Sequence, residues 1–312
     1  LQNGTMPASD LKPVVNRMWF KNVQVYTFTE EFSHSTEQME AALAKFPFTP
    51  LSQLQETTFG WVAPFKDSDI LVETVAGRIF LCAQIQDKIL PASVINDYLL
   101  ERLDALEEAE GRRAGKKERE QLKEDVRAEL LPKAFHKTRR VSAWIDPKNK
   151  WLVVNASSEK SADDFTAQLR EALGTLSVVP LAKSASGAEI LTSWYLDSTT
   201  LPTGTELEAE MELTMVQDPA VKAKYKNLDL AAPEIQLSLD SGMRIRQIAM
   251  AFADQCQFVL NEKFQIKRLK YEDKLVEQAN DSDDPRSDAL MMSDTLSQLL
   301  LLLEPYTLSE GV

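Results

Sequence analysis

The chain contains few of the residues that most often carry covalent cross-links or chemistry. Only two cysteines, Cys82 and Cys256, and two histidines, His34 and His136, occur among its 312 residues. Each cysteine lies inside an apolar, strand-like segment, which predicts two buried thiols in a reducing compartment and argues against a disulfide framework. We interpret His34 as structural. His136 lies among basic residues, which favours a phosphate contact over a metal site.

Long apolar runs are also absent from the sequence. The longest, residues 299–303, is much shorter than the roughly 18 residues expected of a membrane-spanning helix. We therefore expect no membrane partner. Because 44% of the residues are hydrophobic, the chain can bury a sizeable core without cross-links and has room for two or three domains.

The familiar catalytic and ligand-binding motifs are missing or incomplete. Residues 111–117 resemble a phosphate-binding loop, but the two glycines are one residue too close and no serine or threonine follows the lysine. The acidic segment 281–284 departs from a calcium loop, because Arg286 and Met292 occupy the positions that require glycine and glutamate. We therefore predict a protein that is not an enzyme, with no metal and no cofactor.

Positive charge is scarce overall but concentrated in one region. The chain has a formal net charge of −13, yet residues 112–140 contain eleven basic and five acidic residues, a net charge of +6. The rest of the chain therefore sums to −19. We call residues 112–140 the basic island. Such segregation of charge predicts a polyanionic partner.

The pattern of apolar residues predicts an α+β fold with antiparallel sheets in several lobes. We expect strands at 18–29, 58–62, 70–75, 78–86, 140–145, 151–155, 176–181, 206–215, 221–228, 235–239, 243–252 and 258–269. We expect helices at 35–46, 158–173, 188–196 and 289–303, with an acidic, turn-like segment at 271–288.

A helical period runs through residues 92–131, interrupted at Gly111 and Gly115 and ended by Pro132. Two helices joined by this basic bend would form a projecting helical hairpin, and one long helix is the competing interpretation. The resulting organisation is an expression extension or leader at 1–17, an N-terminal α+β unit at 18–91, a helical tip at 92–140, a central α+β unit at 141–200, and a β-rich C-terminal unit with a final helix at 201–312.

Basic residues recur at spacings that place them on one face of an element. Arg119, Lys123 and Arg127 are four residues apart on the second helix, where Glu120 and Glu124 offer local neutralisation. Alternate residues of a strand share a face, so long basic side chains there can line a groove for phosphates. Three such groups are Lys222, Lys224 and Lys226; Arg244 and Arg246; and Lys267, Arg268 and Lys270.

Several peptides, in order along the chain, resemble the bacterial recombination-associated protein RdgC family. They are Met18-Trp-Phe-Lys-Asn22, Gly60-Trp-Val-Ala-Pro64, Lys88-Ile-Leu-Pro91, Leu130-Leu-Pro-Lys-Ala-Phe135, Trp144-Ile-Asp146, Val178-Val-Pro-Leu181 and Ile266-Lys-Arg-Leu-Lys270. Each peptide is short, and together they are specific. Residues 1–17 have no counterpart in the family, so we expect the natural start at Met18.

The resemblance implies a curved monomer with a projecting tip that pairs as a homodimeric ring around duplex DNA. It implies binding of double- and single-stranded DNA without sequence preference and restraint of the RecA recombinase. We then expect a cytoplasmic, nucleoid-associated protein. Phe135 matches the aromatic of the family's tip contact, and the second dimer contact maps near Lys226 and Asn227. The predicted DNA contacts are Lys222, Lys224, Lys226, Arg244, Arg246, Lys267, Arg119, Lys123, Arg127, Lys133, Lys137, Arg139 and Arg140.

Two other interpretations stay open at the level of sequence. In the first, the chain is a protein-interaction scaffold whose basic island docks an acidic protein partner. In the second, it is a nuclease or phosphatase that carries no motif visible in the sequence.

Overall fold

The computed structural model describes residues 18–181, 187–282 and 284–307. The predicted leader, 1–17, and Asp283 of the acidic segment lie outside the described residues. The described chain is α+β, as predicted. Its strands are β1 (Val23–Phe28), β2 (Thr57–Val62), β3 (Val72–Val75), β4 (Arg78–Lys88), β5 (His136–Asp146), β6 (Trp151–Asn155), β7 (Val178–Pro180), β8 (Thr205–Met215), β9 (Lys222–Lys226), β10 (Met243–Phe252), β11 (Cys256–Asn261) and β12 (Ile266–Tyr271). Its helices are α1 (Thr36–Leu43), α2 (Ala92–Glu110), α3 (Lys116–Leu130), α4 (Glu159–Leu173), α5 (Gly187–Leu196), α6 (Pro233–Asp240), α7 (Asp273–Asn280) and α8 (Pro285–Leu303).

The strands form one continuous antiparallel sheet. Their order is β2-β4-β5-β6-β1-β12-β11-β10-β8-β9, with β3 added to β4 and β7 added to β1. The first strand, β1, joins the two halves of this sheet. It pairs along its length with β6 on one side, and on the other side Val23 pairs with Ile266 of β12.

Helices cover opposite faces of the two halves of the sheet. In the first half, Met39 of α1 and Phe165 of α4 pack on side chains such as Leu81 of β4. In the second half, α5, α6 and α8 pack on the other face, where the core includes Trp194 and Leu296. Because side chains alternate along a strand, the second half of the sheet buries one face and leaves the other largely polar. The central strands of the first half bury side chains on both faces, with Phe80 of β4 opposite in direction to Leu81 and equally inaccessible.

The predicted helical hairpin is present. Helix α2 ends at Gly111, whose φ of 65° is left-handed and favours glycine, and whose N–H donates to the Glu107 carbonyl oxygen at 2.9 Å. Helix α3 then returns beside α2. A small separate core of Ile95, Val126 and Leu130 holds the two helices together.

Three sequence predictions of local structure are wrong. The single strand expected at 258–269 is divided into β11 and β12 by a turn at 262–265. Residues 235–239 were expected to be a strand, but they belong to α6, because Pro233 occupies the first turn and Ile235 and Leu239, one helical turn apart, are buried. The segment 271–288 was expected to be turn-like, but it contains α7 and the start of α8. Cys82 and Cys256 are buried free thiols, as predicted.

Candidate nucleic-acid interface

The second half of the sheet has one face that carries most of the basic strand residues. It is the face of β12, β11, β10, β8 and β9 opposite to the core under α5, α6 and α8. We call it the open face. Its centre is lined by small or neutral side chains such as Ala249 and Gln257, whereas charged side chains lie on both flanks.

One flank of the open face is the edge strand β9. Lys222, Lys224 and Lys226 alternate with half-buried residues and are all exposed on the same side, as the alternation predicts. In the ladder with β8, Lys226 lies opposite Glu210 and Lys224 lies opposite Glu212. The lysines therefore share their face with carboxylates, and cross-strand pairs of opposite charge are the result.

The other flank is β12, where a β-bulge redirects the side chains. Between Lys267 and Lys270 the strand has one more residue than its partner segment on β11, and Arg268 has a left-handed φ of 51°. Its guanidinium extends across the sheet, and its Nη2 lies 2.7 Å from Oε1 of Glu210 on β8. Lys226 approaches the same carboxylate from β9, with Nζ 4.0 Å from Oε2.

Glu210 is thus surrounded by cations from both flanks. The hydrogen bond from Arg268, with the nearby charges of Lys226 and Lys224, lowers the pKa of the Glu210 carboxyl, although partial burial opposes the shift. Sequence reasoning grouped Arg268 with its neighbours but did not place it in the binding set, and it missed Glu210. Strict alternation along β12 does not predict the contact between Arg268 and Glu210, because the bulge determines the direction of the Arg268 side chain.

The other predicted strand cations are less available. Nε of Arg244 contacts both carboxylate oxygens of Glu189 on α5 at 2.9 Å, and Arg246 is paired with Glu262. Lys267 is half-buried. Phosphate binding at Arg244 or Arg246 would therefore have to replace an existing ion pair.

On the helical hairpin, the basic stripe is only partly free. Arg119 and Lys123 have no carboxylate within 4 Å among the described residues, whereas Arg127 Nη2 lies 2.7 Å from Oε2 of Glu56. Lys133 Nζ lies 3.3 Å from Glu129 Oε1. The main partner of Arg127 is therefore a distant glutamate rather than Glu120 or Glu124.

The last part of the basic island divides between the two faces of the sheet. Arg139 donates from Nη1 to Ser161 Oγ of α4 at 3.2 Å and lies 3.4 Å from Asp87. Arg140 donates from Nε to Gln84 Oε1 at 3.1 Å on the other face. Lys137 is two residues before Arg139 on β5, so the two side chains lie on the same face of the sheet. Consecutive residues of a strand point to opposite faces, so Arg139 and Arg140 cannot line one groove.

Phe135 lies at the base of the helical hairpin, just before β5. Its side chain is 86% exposed, and its carbonyl oxygen accepts a hydrogen bond from the N–H of Ile89 at 2.7 Å. The bend at Gly111 lies at the far end of α2, a helix of 19 residues and about 28 Å. Asn227, which follows β9, has a φ of 56° and donates from its N–H to Ala209 O at 2.7 Å.

Comparison with known proteins connects this arrangement to one family. A protein-family model described as "Putative exonuclease, RdgC" matches residues 18–306, which is nearly the whole described chain. The chain belongs to the RdgC family. The family-model match begins at Met18, as does the series of peptides in which the sequence resembles the family.

Similar proteins from several bacteria carry the name "Recombination-associated protein RdgC". The chain is 38% identical over 265 residues to that of Tolumonas auensis, covering 85% of this chain and 87% of the relative. It is 38% identical over 290 residues to that of Aeromonas hydrophila, covering 91% and 95%. It is 36% identical over 290 residues to that of Yersinia pestis, again covering 91% and 95%.

Two further observations describe this RdgC-family chain. Within residues 18–181, 187–282 and 284–307, no group of three or more His, Cys, Asp or Glu side chains is placed to hold a metal ion. Within the same ranges, every helix is too short or too polar to cross a bilayer. The description of the family model mentions an exonuclease, whereas the names of the relatives mention recombination.

Proposed function

We propose that this chain binds duplex and single-stranded DNA without sequence preference through its open face. The observation that supports this most directly is the approach of Lys224, Lys226 and Arg268 to one point from both flanks of the sheet. Clustered cations bind the phosphates of the nucleic-acid backbone, which is the same for every sequence. Lys222 and Lys270 extend the same surface along its two flanks.

The same proposal includes a homodimer that encloses duplex DNA and restrains RecA-dependent recombination at the nucleoid. A chain of net charge −13 is repelled by DNA at long range unless its cations face an enclosed surface. Closure of a ring supplies that surface and retains DNA with modest contacts. Phe135, whose apolar ring is almost fully exposed, is suited to one closing contact, and we assign the other to Lys226 and Asn227.

The DNA-binding proposal is tested by anisotropy with labelled duplexes and single strands of random sequence, measured across a range of salt concentrations. We expect similar affinities for unrelated sequences. We expect the logarithm of the association constant to fall linearly with the logarithm of salt, with a slope of about 0.9 per phosphate neutralised. A flat salt response contradicts the proposal.

Enclosure and RecA restraint require separate measurements. A closed ring stays on a nicked circular plasmid at a salt concentration that releases it from the linearised plasmid, because sliding off an end is the only low-cost exit. Equal retention on the two forms contradicts enclosure. Strand exchange by RecA, with and without the protein bound to the duplex, measures restraint directly.

The same purified protein and duplex DNA distinguish this proposal from two alternative functions. A scaffold that docks an acidic protein through residues 112–140 gives no gel shift with purified protein and random-sequence duplex. An exonuclease, the activity named in the description of the family model, releases nucleotides from end-labelled duplex when magnesium is added. Stable binding without cleavage supports the DNA-binding proposal against both.

A further inference from the structure

Glu210 lies at the point of the open face where cations from both flanks meet. Its carboxylate lies between the guanidinium of Arg268, at 2.7 Å, and the ammonium of Lys226, at 4.0 Å, and Lys224 adds a third nearby charge. Guanidinium groups bind carboxylates and phosphates with the same planar, forked geometry. The carboxylate therefore competes with any phosphate for the same donors.

The sheet builds this position with two irregularities. On β12 the bulge at Arg268 directs the guanidinium across the face. On β8 the register with β10 shifts between the pairs Ile248–Met211 and Met250–Leu207, so extra residues that include Glu210 leave the regular ladder. Strands β12 and β8 are three strand spacings apart, about 14 Å, and their side chains meet above Ala249.

The site has room for a larger anion than a carboxylate. A trough of about 300 Å³ adjoins Glu210 and Arg268, with Ala249 and Val259 on its floor and Lys270 and Asn227 on its rim. The trough is open to solvent, so a phosphodiester can enter without rearranging the backbone. The side chain of Arg268 is 53% exposed, so solvent and a second anion can reach the guanidinium, although Glu210 itself is only 17% exposed.

We propose that Glu210 is an exchangeable internal counterion, which a nucleic-acid phosphate displaces from Arg268 and Lys226 when DNA binds. This inference rests on the proposed DNA-binding function and identifies Glu210 as the residue that sets the strength of DNA binding. While DNA is absent, Glu210 neutralises the cations. When DNA binds, each gain from a phosphate contact is offset by the loss of the Glu210 contacts, which keeps binding weak and readily reversible.

The test compares Glu210→Gln with Glu208→Gln in the full chain. Glu208 lies on the same strand, is exposed, and has no basic partner within 4 Å among the described residues, so both variants remove one negative charge but only the first releases Arg268. At about 0.1 M salt we expect Glu210→Gln to bind random-sequence duplex about tenfold more tightly than wild type, and Glu208→Gln less than about threefold. The salt slope of Glu210→Gln should differ from that of wild type by less than about 0.9, because the same phosphates are contacted in both proteins.

A second variant keeps the inference falsifiable if Glu210→Gln fails to fold, which circular dichroism and thermal melting will show. Arg268→Gln should weaken binding about three- to tenfold in the wild-type background, and in the Glu210→Gln background it should remove the gain. Equal affinities of Glu210→Gln and Glu208→Gln, or wild-type binding by Arg268→Gln, overturn the exchange while leaving the proposed function intact. If the wild-type chain binds no DNA, the exchange at Glu210 and the proposed DNA-binding function are both refuted.

Discussion

Arg286 of α8 forms a bidentate ion pair with Glu73 of β3, although the two residues are 213 positions apart in the sequence. Nε lies 2.8 Å from Oε2 and Nη2 lies 3.1 Å from Oε1, and Nη1 is 2.7 Å from Asp67. The guanidinium also lies 4.9 Å from the ring centre of Phe65. Arg286 therefore helps to attach the C-terminal helix to the N-terminal part of the chain, as does Arg78 of β4, which lies 2.6 Å from Asp294 of α8.

Replacement of this arginine should destabilise the whole protein. Glu73 is 14% exposed, so Arg286→Ala leaves a largely buried carboxylate without its partner. We expect a loss of about 1–3 kcal/mol in the free energy of unfolding, measured by urea denaturation. The control is Arg102→Ala, which removes the exposed pair with Glu129 and should cost less than about 0.5 kcal/mol. Equal losses in the two variants would refute the role given to Arg286.

Phe135→Ala should change assembly without changing stability. A side chain that is 86% exposed contributes little to the monomer, so we expect the free energy of unfolding to stay within about 0.5 kcal/mol of wild type. If Phe135 closes the proposed dimer, the variant should dissociate at higher concentration in sedimentation equilibrium and leave circular DNA at lower salt. Leu54→Ala, at a 75% exposed apolar residue elsewhere, is the matched control. Indistinguishable behaviour of the two variants would exclude Phe135 from the closing contact.

The two cysteines should be unreactive in the native protein. Burial raises the pKa of the Cys256 thiol to about 12, and burial likewise raises the pKa of the Cys82 thiol, so at pH 8 neither forms an appreciable amount of thiolate. We expect less than about 0.1 thiol per chain to react with Ellman's reagent within minutes. In guanidinium chloride both thiols should react. Fast labelling of either cysteine in native protein would show that its segment opens.

The sequence predicted elements well where local rules dominate and failed where packing decides. The hairpin of α2 and α3 followed from Gly111 and the helical period, because glycine ends a helix in the conformation observed. Residues 235–239 alternate like a strand, yet they form a helix in which Ile235 and Leu239 are buried and Leu237 is 67% exposed. The two periods coincide at Ile235 and Leu239, so only the tertiary contact separates helix from strand.

The candidate site was also predicted only where a local sequence pattern was sufficient. Charge and alternation predicted the side of β9 on which Lys222, Lys224 and Lys226 lie, because a strand of period two needs no further information. The meeting of Arg268 with Glu210 depends on two bulges and on the order of four strands, which no local pattern encodes. Likewise, Arg139 and Arg140 looked equivalent in sequence and lie on opposite faces.

The position of β1 in the sheet has a consequence for the order of synthesis. Its partners β6 and β7 are translated by residue 180, so the first half of the sheet can form while the C-terminal strands are still unmade. The edge of β1 at Val23 pairs with Ile266, which emerges from the ribosome some 240 residues later. At about 5–20 residues per second, this edge waits roughly 12–50 seconds for its partner. The nascent chain therefore has a long interval with an unpaired strand edge, during which Val23 and its neighbours are open to pairing with another chain.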